Sequence, residues 1–248
     1  MLSMAGETGK ALARRLGDSR FLREWFVGDG IDIGAGNDRL ELYLEYFPLM
    51  TSCLSWDKEN GNGETVETIK NNSMNFVYSS HCLEHITDPY KALQNWIRIT
   101  KLGGHLILAV PDEDLYEQGV FPSTFNKDHK WTFTVMKKTS WSRASINILE
   151  MVQAFADQTQ CVKVELIDGM YRRNLVRFDR TIEGHVETCI EIVLRKVGSG
   201  STEEGLLLRE PAVEVRKYLN QMILDRKISR QYINIVKPFE DTGKMERG

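Results

Sequence analysis

Histidine is the side chain whose ordinary pKa best suits it to exchange protons near neutral pH. The chain has five, which are His81, His85, His105, His129 and His185. His81 comes just after a predicted strand, and His129 lies in a polar and aromatic stretch, residues 126–134. We therefore predict His81 and His129 as candidate general bases of nearly equal rank. His105 begins an apolar strand and His185 lies far along the chain, which indicates structural roles for both.

The spacing of His81, Glu84 and His85 offers a second kind of chemistry. On one turn or loop, and together with the distant His129, these side chains could supply nitrogen and oxygen ligands to a divalent ion. We keep this metal site as an alternative. The main prediction has no metal ligand.

A glycine turn follows the first predicted strand, in the segment Gly30-Ile31-Asp32-Ile33-Gly34-Ala35-Gly36. Such a turn exposes backbone amides to a small anionic or nucleoside ligand. Dinucleotide-binding folds carry a third glycine where this chain has Arg39, which argues against a pyrophosphate. An acidic residue roughly 20 residues further on is expected to bind ribose hydroxyls, and Asp57 occupies that place. A ribose without a pyrophosphate fits these residues better.

Strand and helix patterns alternate around these residues. Strands are predicted at residues 27–33, 51–56, 75–80, 105–110, 162–167 and 187–195. Helices are predicted at 14–26, 40–47, 141–155 and from Asp88-Pro89 to Gly103-Gly104. This alternation predicts an α/β fold, a doubly wound Rossmann-like and mostly parallel sheet with helices on both faces. Ligands of such sheets bind at the carboxyl ends of the strands, where the candidate residues lie.

The segment from Val27 to Val110 resembles the class I S-adenosylmethionine-dependent methyltransferases, in particular those acting on small molecules. Asp32-Ile33-Gly34-Ala35-Gly36 is similar to their acidic-x-Gly-x-Gly segment, and Asp57 to the acidic residue that ends their second strand. The run from Ser80 to Pro89 is similar to a Leu-Glu-His-x-x-Asp-Pro run after their fourth strand. The resemblance implies a seven-stranded sheet whose last strand is antiparallel.

The resemblance also implies how the donor, S-adenosylmethionine, and its product, S-adenosylhomocysteine, bind. Asp32 belongs to the acidic-x-Gly-x-Gly segment, Gly34, Ala35 and Gly36 would line the methionine moiety, and Asp57 would hold the ribose. Ser80 and His81 would lie near the sulfonium, and Asn62 or Glu64 stands near the place of an acidic adenine contact. Glu84 and His85 are interpreted as structural, because the similar pair in relatives often orients loops and the following helix.

The predicted activity is methyl transfer to a small or saccharide-like acceptor at a hydroxyl oxygen, with His129 or His81 as the base. An aperiodic covering loop at about residues 111–140 would shape the acceptor pocket, with walls formed by Tyr116, Phe121, Phe125 and Trp131.

Three alternatives stay open. The first is a metal-dependent O-methyltransferase using His81, Glu84, His85 and His129, an arrangement that resembles small-RNA 2′-O-methyltransferases with His81 in place of a glutamate. The others are a nicotinamide oxidoreductase and a non-catalytic cofactor-binding module.

Composition limits the partners and the compartment. The 248 residues carry a net charge of −3, which gives no support to a nucleic-acid partner. Neither a membrane span nor a signal peptide is apparent, which predicts a cytoplasmic protein. The four cysteines form no Cys-x-x-Cys pair and are predicted to be free thiols. We divide the chain into an N-terminal helical segment (1–26), a methyltransferase domain (27–197), and a linker with a C-terminal helix and tail (198–248). Nothing in the sequence addresses the oligomeric state.

Overall fold

A computed structural model describes residues 6–181, 186–198 and 217 of the chain. His185 and almost all of the predicted linker, C-terminal helix and tail lie outside these residues, so those predictions stay untested. In the described residues, no helix combines the length and the apolar composition needed to cross a bilayer. The cytoplasmic location and the division into domains stay predictions.

Eight strands and three α-helices make up the described fold. In chain order they are α1 (Glu7–Gly17), β1 (Gly28–Ile33), β2 (Met50–Trp56), β3 (Met74–Ser80), α2 (Pro89–Ile99), β4 (Thr100–Pro111), β5 (Thr132–Thr134), β6 (Ser145–Asn147), α3 (Ile148–Gln153), β7 (Thr159–Ile167) and β8 (Cys189–Lys196). A π-helical turn (Phe21–Trp25) and two 3₁₀ helices (Leu40–Tyr46 and Leu83–His85) complete them.

Six of the strands form the main sheet, in the order β2-β1-β3-β4-β8-β7. The first four are parallel to one another, whereas β8 is antiparallel to both β4 and β7. The predicted doubly wound, mostly parallel sheet with an antiparallel last strand is therefore confirmed. The count of seven strands is not, because in the described part of the chain β2 and β7 are the edges of a six-stranded sheet. Strands β5 and β6 pair separately.

The central strands are buried on both faces, as expected for a parallel sheet covered by helices. Along β3, Val77 packs with α2 on one face, while Phe76 and Tyr78 pack with the π-helical turn on the other. The larger cluster, on the α2 face, includes Trp96 of α2. These two layers fix the ends of β1 and β3, from which the candidate site is built.

Several predicted helix boundaries were wrong. The helix predicted at 14–26 is α1, which begins earlier at Glu7, followed by a separate π-helical turn. The one predicted at 40–47 is a 3₁₀ helix, and the one at 141–155 contains only the six residues of α3. Helix α2 ends at Ile99 rather than at Gly103-Gly104, because β4 already begins at Thr100. Apolar spacing does not distinguish these helical types or locate their ends.

Buried ion pairs attach α1 to the sheet. Glu191 of β8 is fully buried and receives hydrogen bonds from Arg14, Arg15 and Lys163. Arg15, itself only 1% exposed, also donates to the Tyr78 hydroxyl. Burial alone would raise the pKa of Glu191, but the charges of Arg15 and Arg14 lower it to about 2. This attachment places Glu7, the first residue of α1, beside His81.

Candidate active site

Hydrogen bonds to the end of β2 fix the conformation of the glycine turn. The amides of Gly34 and Ala35 donate to the Trp56 carbonyl at the end of β2, and the Gly36 amide donates to the Asp57 carboxylate at 2.9 Å. Gly34 and Gly36 have φ angles of +78° and +53°, which favour glycine. The turn therefore depends on Asp57 for its shape, while Asp57 remains half-buried beside it.

Asp32 is a buried residue at the end of β1 that binds the backbone after the glycine turn. Its carboxylate accepts a hydrogen bond from the Leu40 amide at 2.8 Å and is 2% exposed. Burial raises the pKa of Asp32 to about 7, against the lowering effects of that hydrogen bond and of Arg15. We interpret Asp32 as a residue that shapes the turn from the buried side.

A cavity of about 610 Å³ opens beside this turn. It is lined by Gly34, Trp56, Asp57, Lys58, Gly61, Asn62, Gly63, Glu64, Cys82, His85, Ile86, Thr87, Asp128 and Lys130. The predicted donor contacts Gly34, Asp57 and Asn62 are in this lining, and a side chain at Gly36 would meet open space. The lining and the free space suit a nucleoside-sized ligand.

Four polar side chains form a group that we call the histidine cluster, namely His81, Glu84, His85 and His129. His81 Nδ1 lies 3.7 Å from Glu84 Oε1, and His85 Nε2 lies 3.9 Å from the same oxygen. The His85 and His129 rings meet edge to face, with centroids 4.8 Å apart. Ser80 and His81 lie at the carboxyl end of β3, where the His81 amide donates to the Ala109 carbonyl.

Backbone contacts hold the covering loop against this cluster. The Lys130 amide donates to the Glu84 carbonyl at 2.7 Å, and Trp131 Nε1 donates to the Ile86 carbonyl at 2.9 Å. His129 is thus fixed next to Glu84 and His85 although 44 residues separate it from His85. Apart from β5, residues 112–140 form no helix or strand, and their role as a cover stays a prediction.

The four aromatic residues predicted to form the walls of the acceptor pocket have different surroundings. The Tyr116 and His129 rings are stacked, with centroids 6.0 Å apart, and the centroids of the Tyr116 and His81 rings are 5.3 Å apart. Trp131 packs against the core, Phe125 is 56% exposed, and Phe121 lines a second cavity of about 460 Å³ with Trp141 and Arg143. Tyr116 is therefore the wall residue that contacts the histidine cluster.

Burial controls the charge of the cluster. It lowers the pKa of His81 and of His85, and lowers that of His129 to about 4, so all three imidazoles are neutral at pH 7. Burial also raises the pKa of Glu84 well above its usual range. Neutral imidazoles present a free nitrogen lone pair, which can accept a proton or bind a metal.

A known family model matches residues 9–148, more than half of the chain, and its description is "Methyltransferase domain". The chain belongs to this family. The predicted enzyme class is confirmed, and with it S-adenosylmethionine as the methyl donor. The nicotinamide oxidoreductase interpretation is dropped. Residues 9–148 of this methyltransferase include the glycine turn, Asp57 and the whole histidine cluster.

Solved structures are similar to this methyltransferase at low sequence identity. A Listeria monocytogenes protein assigned as an S-adenosylmethionine-dependent methyltransferase is 12% identical, with a TM-score of 0.50 over 77% of this chain and 100% of its own. Methyltransferases from Mesorhizobium loti and Archaeoglobus fulgidus, each 12% identical, have TM-scores of 0.48 over 77% of this chain and 100% and 95% of theirs. No curated protein gives a significant match.

Two features of the site are not part of the main prediction. His85 is interpreted there as structural and only in the alternative as a metal ligand, and it lines the cavity together with Asp128. Glu117 was not singled out, yet its carboxylate lies 2.9 Å from His129 Nδ1, and both side chains are buried. Only the run Tyr116-Glu117-Gln118 within a loop rich in charged and aromatic residues hinted at the second feature, because residues 12 apart in an irregular segment have no fixed geometry.

Proposed function

We propose that this methyltransferase methylates a hydroxyl oxygen of a small or saccharide-like acceptor, with His129 or His81 as the general base. The observation that carries the proposal is that one cavity joins the glycine turn and Asp57 to the histidine cluster through His85. When bound, the donor supplies a methyl group on a sulfonium. A hydroxyl acceptor must lose a proton as it attacks, and neutral imidazoles are suited to receive it.

In this proposal the donor-binding residues are those predicted from the sequence. Gly34, Ala35 and Gly36 contact the methionine moiety, Asp57 the ribose, and Asn62 the adenine, with Ser80 and His81 near the sulfonium. Asp32 does not contact the donor in this proposal but stabilises the turn through its hydrogen bond with the Leu40 amide. Glu117 is a positioning residue, because its hydrogen bond to Nδ1 fixes the orientation of the His129 ring and leaves Nε2 for the acceptor.

Calorimetry with S-adenosylhomocysteine tests the donor site. Asp57→Ala removes the ribose partner and also the acceptor of the Gly36 amide, so we expect binding about 10- to 100-fold weaker, as for lost hydrogen bonds to a charged group. Asp29→Ala is the matched control, because Asp29 is an exposed carboxylate near the opposite end of β1 that pairs with Ser52. Equal affinities for the two variants would contradict the assignment of Asp57.

Product formation from a panel of sugars and their amino-sugar analogues tests the acceptor class. We expect turnover with hydroxyl acceptors, and a loss of about 100-fold or more in kcat when the base, His129 or His81, is replaced by Asn. His105→Asn, which changes a histidine in the middle of β4 that does not line the cavity, should retain activity. Turnover of the amines alone, or full activity of both cluster variants, would contradict the proposal.

A further inference from the structure

The Glu84 carboxylate is the least satisfied group in the described part of the molecule. Its side chain is completely buried, and neither carboxylate oxygen has a hydrogen-bond partner. Burying a carboxylate without partners is costly unless a cation or a proton compensates its charge. In the described residues, Glu84 forms no ion pair with a lysine or an arginine. His81 Nδ1 and His85 Nε2 both lie within 4 Å of Glu84 Oε1.

Glu84, His85 and His129 each have one ligand-type atom close to those of the other two. These three atoms lie within 4.8 Å of one another. An ion bound at the usual 2.0–2.2 Å needs ligand atoms roughly 3–4 Å apart, so small side-chain rotations would complete the geometry. One carboxylate and two imidazoles leave at least one coordination position open for water or for an acceptor oxygen.

The second nitrogen of both histidines faces a carboxylate. His129 Nδ1 is hydrogen-bonded to Glu117 at 2.9 Å, whereas His85 Nδ1 lies 3.3 Å from Asp128 without the geometry of a hydrogen bond. In each case Nε2 is the nitrogen left for a ligand. Metal-binding histidines in proteins usually donate their other N–H to a carboxylate, as His129 can to Glu117, which fixes the ring and makes the ligating nitrogen more basic.

We propose that Glu84, His85 and His129 bind a divalent transition-metal ion, of which Zn²⁺ and Mn²⁺ suit the mixed nitrogen and oxygen donors. The ion site depends on this geometry alone, while any part of the ion in catalysis rests on the methyl transfer proposed above. In that reaction the ion would lower the pKa of an acceptor hydroxyl bound at its open position. His129 would then be a ligand, which leaves His81 as the base of the two named above.

The test uses full-length protein stripped with EDTA, dialysed, and titrated calorimetrically with ZnCl₂ or MnCl₂ alone. We expect one ion per chain, and a rise in Tm of about 5 °C or more at 100-fold excess over Kd. Substitution with Co²⁺ should give the visible absorption of a nitrogen- and oxygen-ligated ion.

Three variants separate the possible results. Glu84→Gln should bind the ion at least about tenfold more weakly, show at most about half of the metal-induced rise in Tm at the same ion concentration, and bind S-adenosylhomocysteine like the wild type. Because Gln has nearly the same shape as Glu and cannot ionise, the change adds no buried charge and the metal-free Tm should not fall. His129→Asn should also lose the ion, and His105→Asn should keep it.

Absence of Zn²⁺ and Mn²⁺ binding in the wild type, or binding that Glu84→Gln and His129→Asn leave unchanged, overturns the metal site. Donor binding is measured on the same samples. A failed metal site with intact donor binding is therefore distinguishable from a failure of the proposed function.

Discussion

Gly34 and Gly36 share a left-handed backbone but differ in their surroundings. A Cβ atom on Gly34 would lie 2.5 Å from both Cβ and Sγ of Cys82, whereas one on Gly36 would meet nothing within 4 Å. Gly36→Ala should therefore lower the free energy of unfolding by about 1–2 kcal/mol, from backbone strain alone. Gly34→Ala should lose about 1–3 kcal/mol more, because the cavity wall has to move.

Urea unfolding without donor measures both glycine variants under the same conditions. Since the backbone strain is common to the two, their difference reports the contact with Cys82. Equal losses in the free energy of unfolding would show that Cys82 can move aside without cost.

Individual residues of the site were predictable where the chemistry is local. Gly34 and Asp57 follow directly from strand ends, and both line the cavity. The pairing of Glu117 with His129 depends on an irregular loop, and the cavity position of His85 depends on the 3₁₀ helix Leu83–His85. Such geometry has no periodic signal in the sequence.

The attachment of α1 to β8 depends on a buried ion pair between Arg15 and Glu191. Arg15→Met leaves Glu191 and Tyr78 without one of their buried donors, so we expect a loss of about 3–5 kcal/mol in the free energy of unfolding. Arg20→Met is the control, because the Arg20–Asp18 pair is exposed and should contribute about 1 kcal/mol or less.

Chemical denaturation at pH 7, followed by circular dichroism, compares these arginine variants. The double variant Arg15→Met/Glu191→Gln should recover part of the loss, since it removes a buried charge together with its partner. If Arg15→Met and Arg20→Met cost the same, α1 is held by packing rather than by its ion pairs.

Elements were predictable to the extent that their apolar pattern is strong. Strands β3 and β4 and the start of α2 at Asp88-Pro89 follow the pattern, and Asp88 caps α2 through the Tyr90 and Lys91 amides as its position indicates. The start of α1 at Glu7 was missed because the buried residues of its first part are Thr8 and Ala11, which are too small and too few to give a clear apolar period.

At the scale of the whole molecule, the alternation of strands and helices was enough to predict the sheet and the edge at which the cavity lies. The acceptor remains a proposal, because the acceptor side is built from loop contacts such as Lys130 to Glu84 rather than from the sheet. The same architecture buries the Asp32 carboxylate at the end of β1. Its charge therefore influences the stability of the complete fold.

Folding stability should fall as the pH rises from 5 to 8, in part because of Asp32. Its pKa is raised from 3.8 to about 7 in the folded state, so its contribution is full below about pH 3.8 and is lost as the pH rises through 7. Arg15, Asp38 and Asp57 are the charged groups that face it. Asp32→Asn keeps an oxygen acceptor for the Leu40 amide but cannot ionise.

Urea unfolding of donor-free, EDTA-treated protein at pH 5, 6, 7 and 8 measures this effect of Asp32. Other buried groups, such as Asp112 with a pKa raised to about 6 by burial and His105 with one lowered to about 4, titrate in both proteins and cancel in the difference. Relative to the variant, the wild type should lose up to about 3 kcal/mol between pH 5 and 8. If the two proteins had parallel profiles of unfolding free energy against pH, Asp32 would ionise as easily in the folded as in the unfolded chain. Burial of its carboxylate would then carry no electrostatic cost.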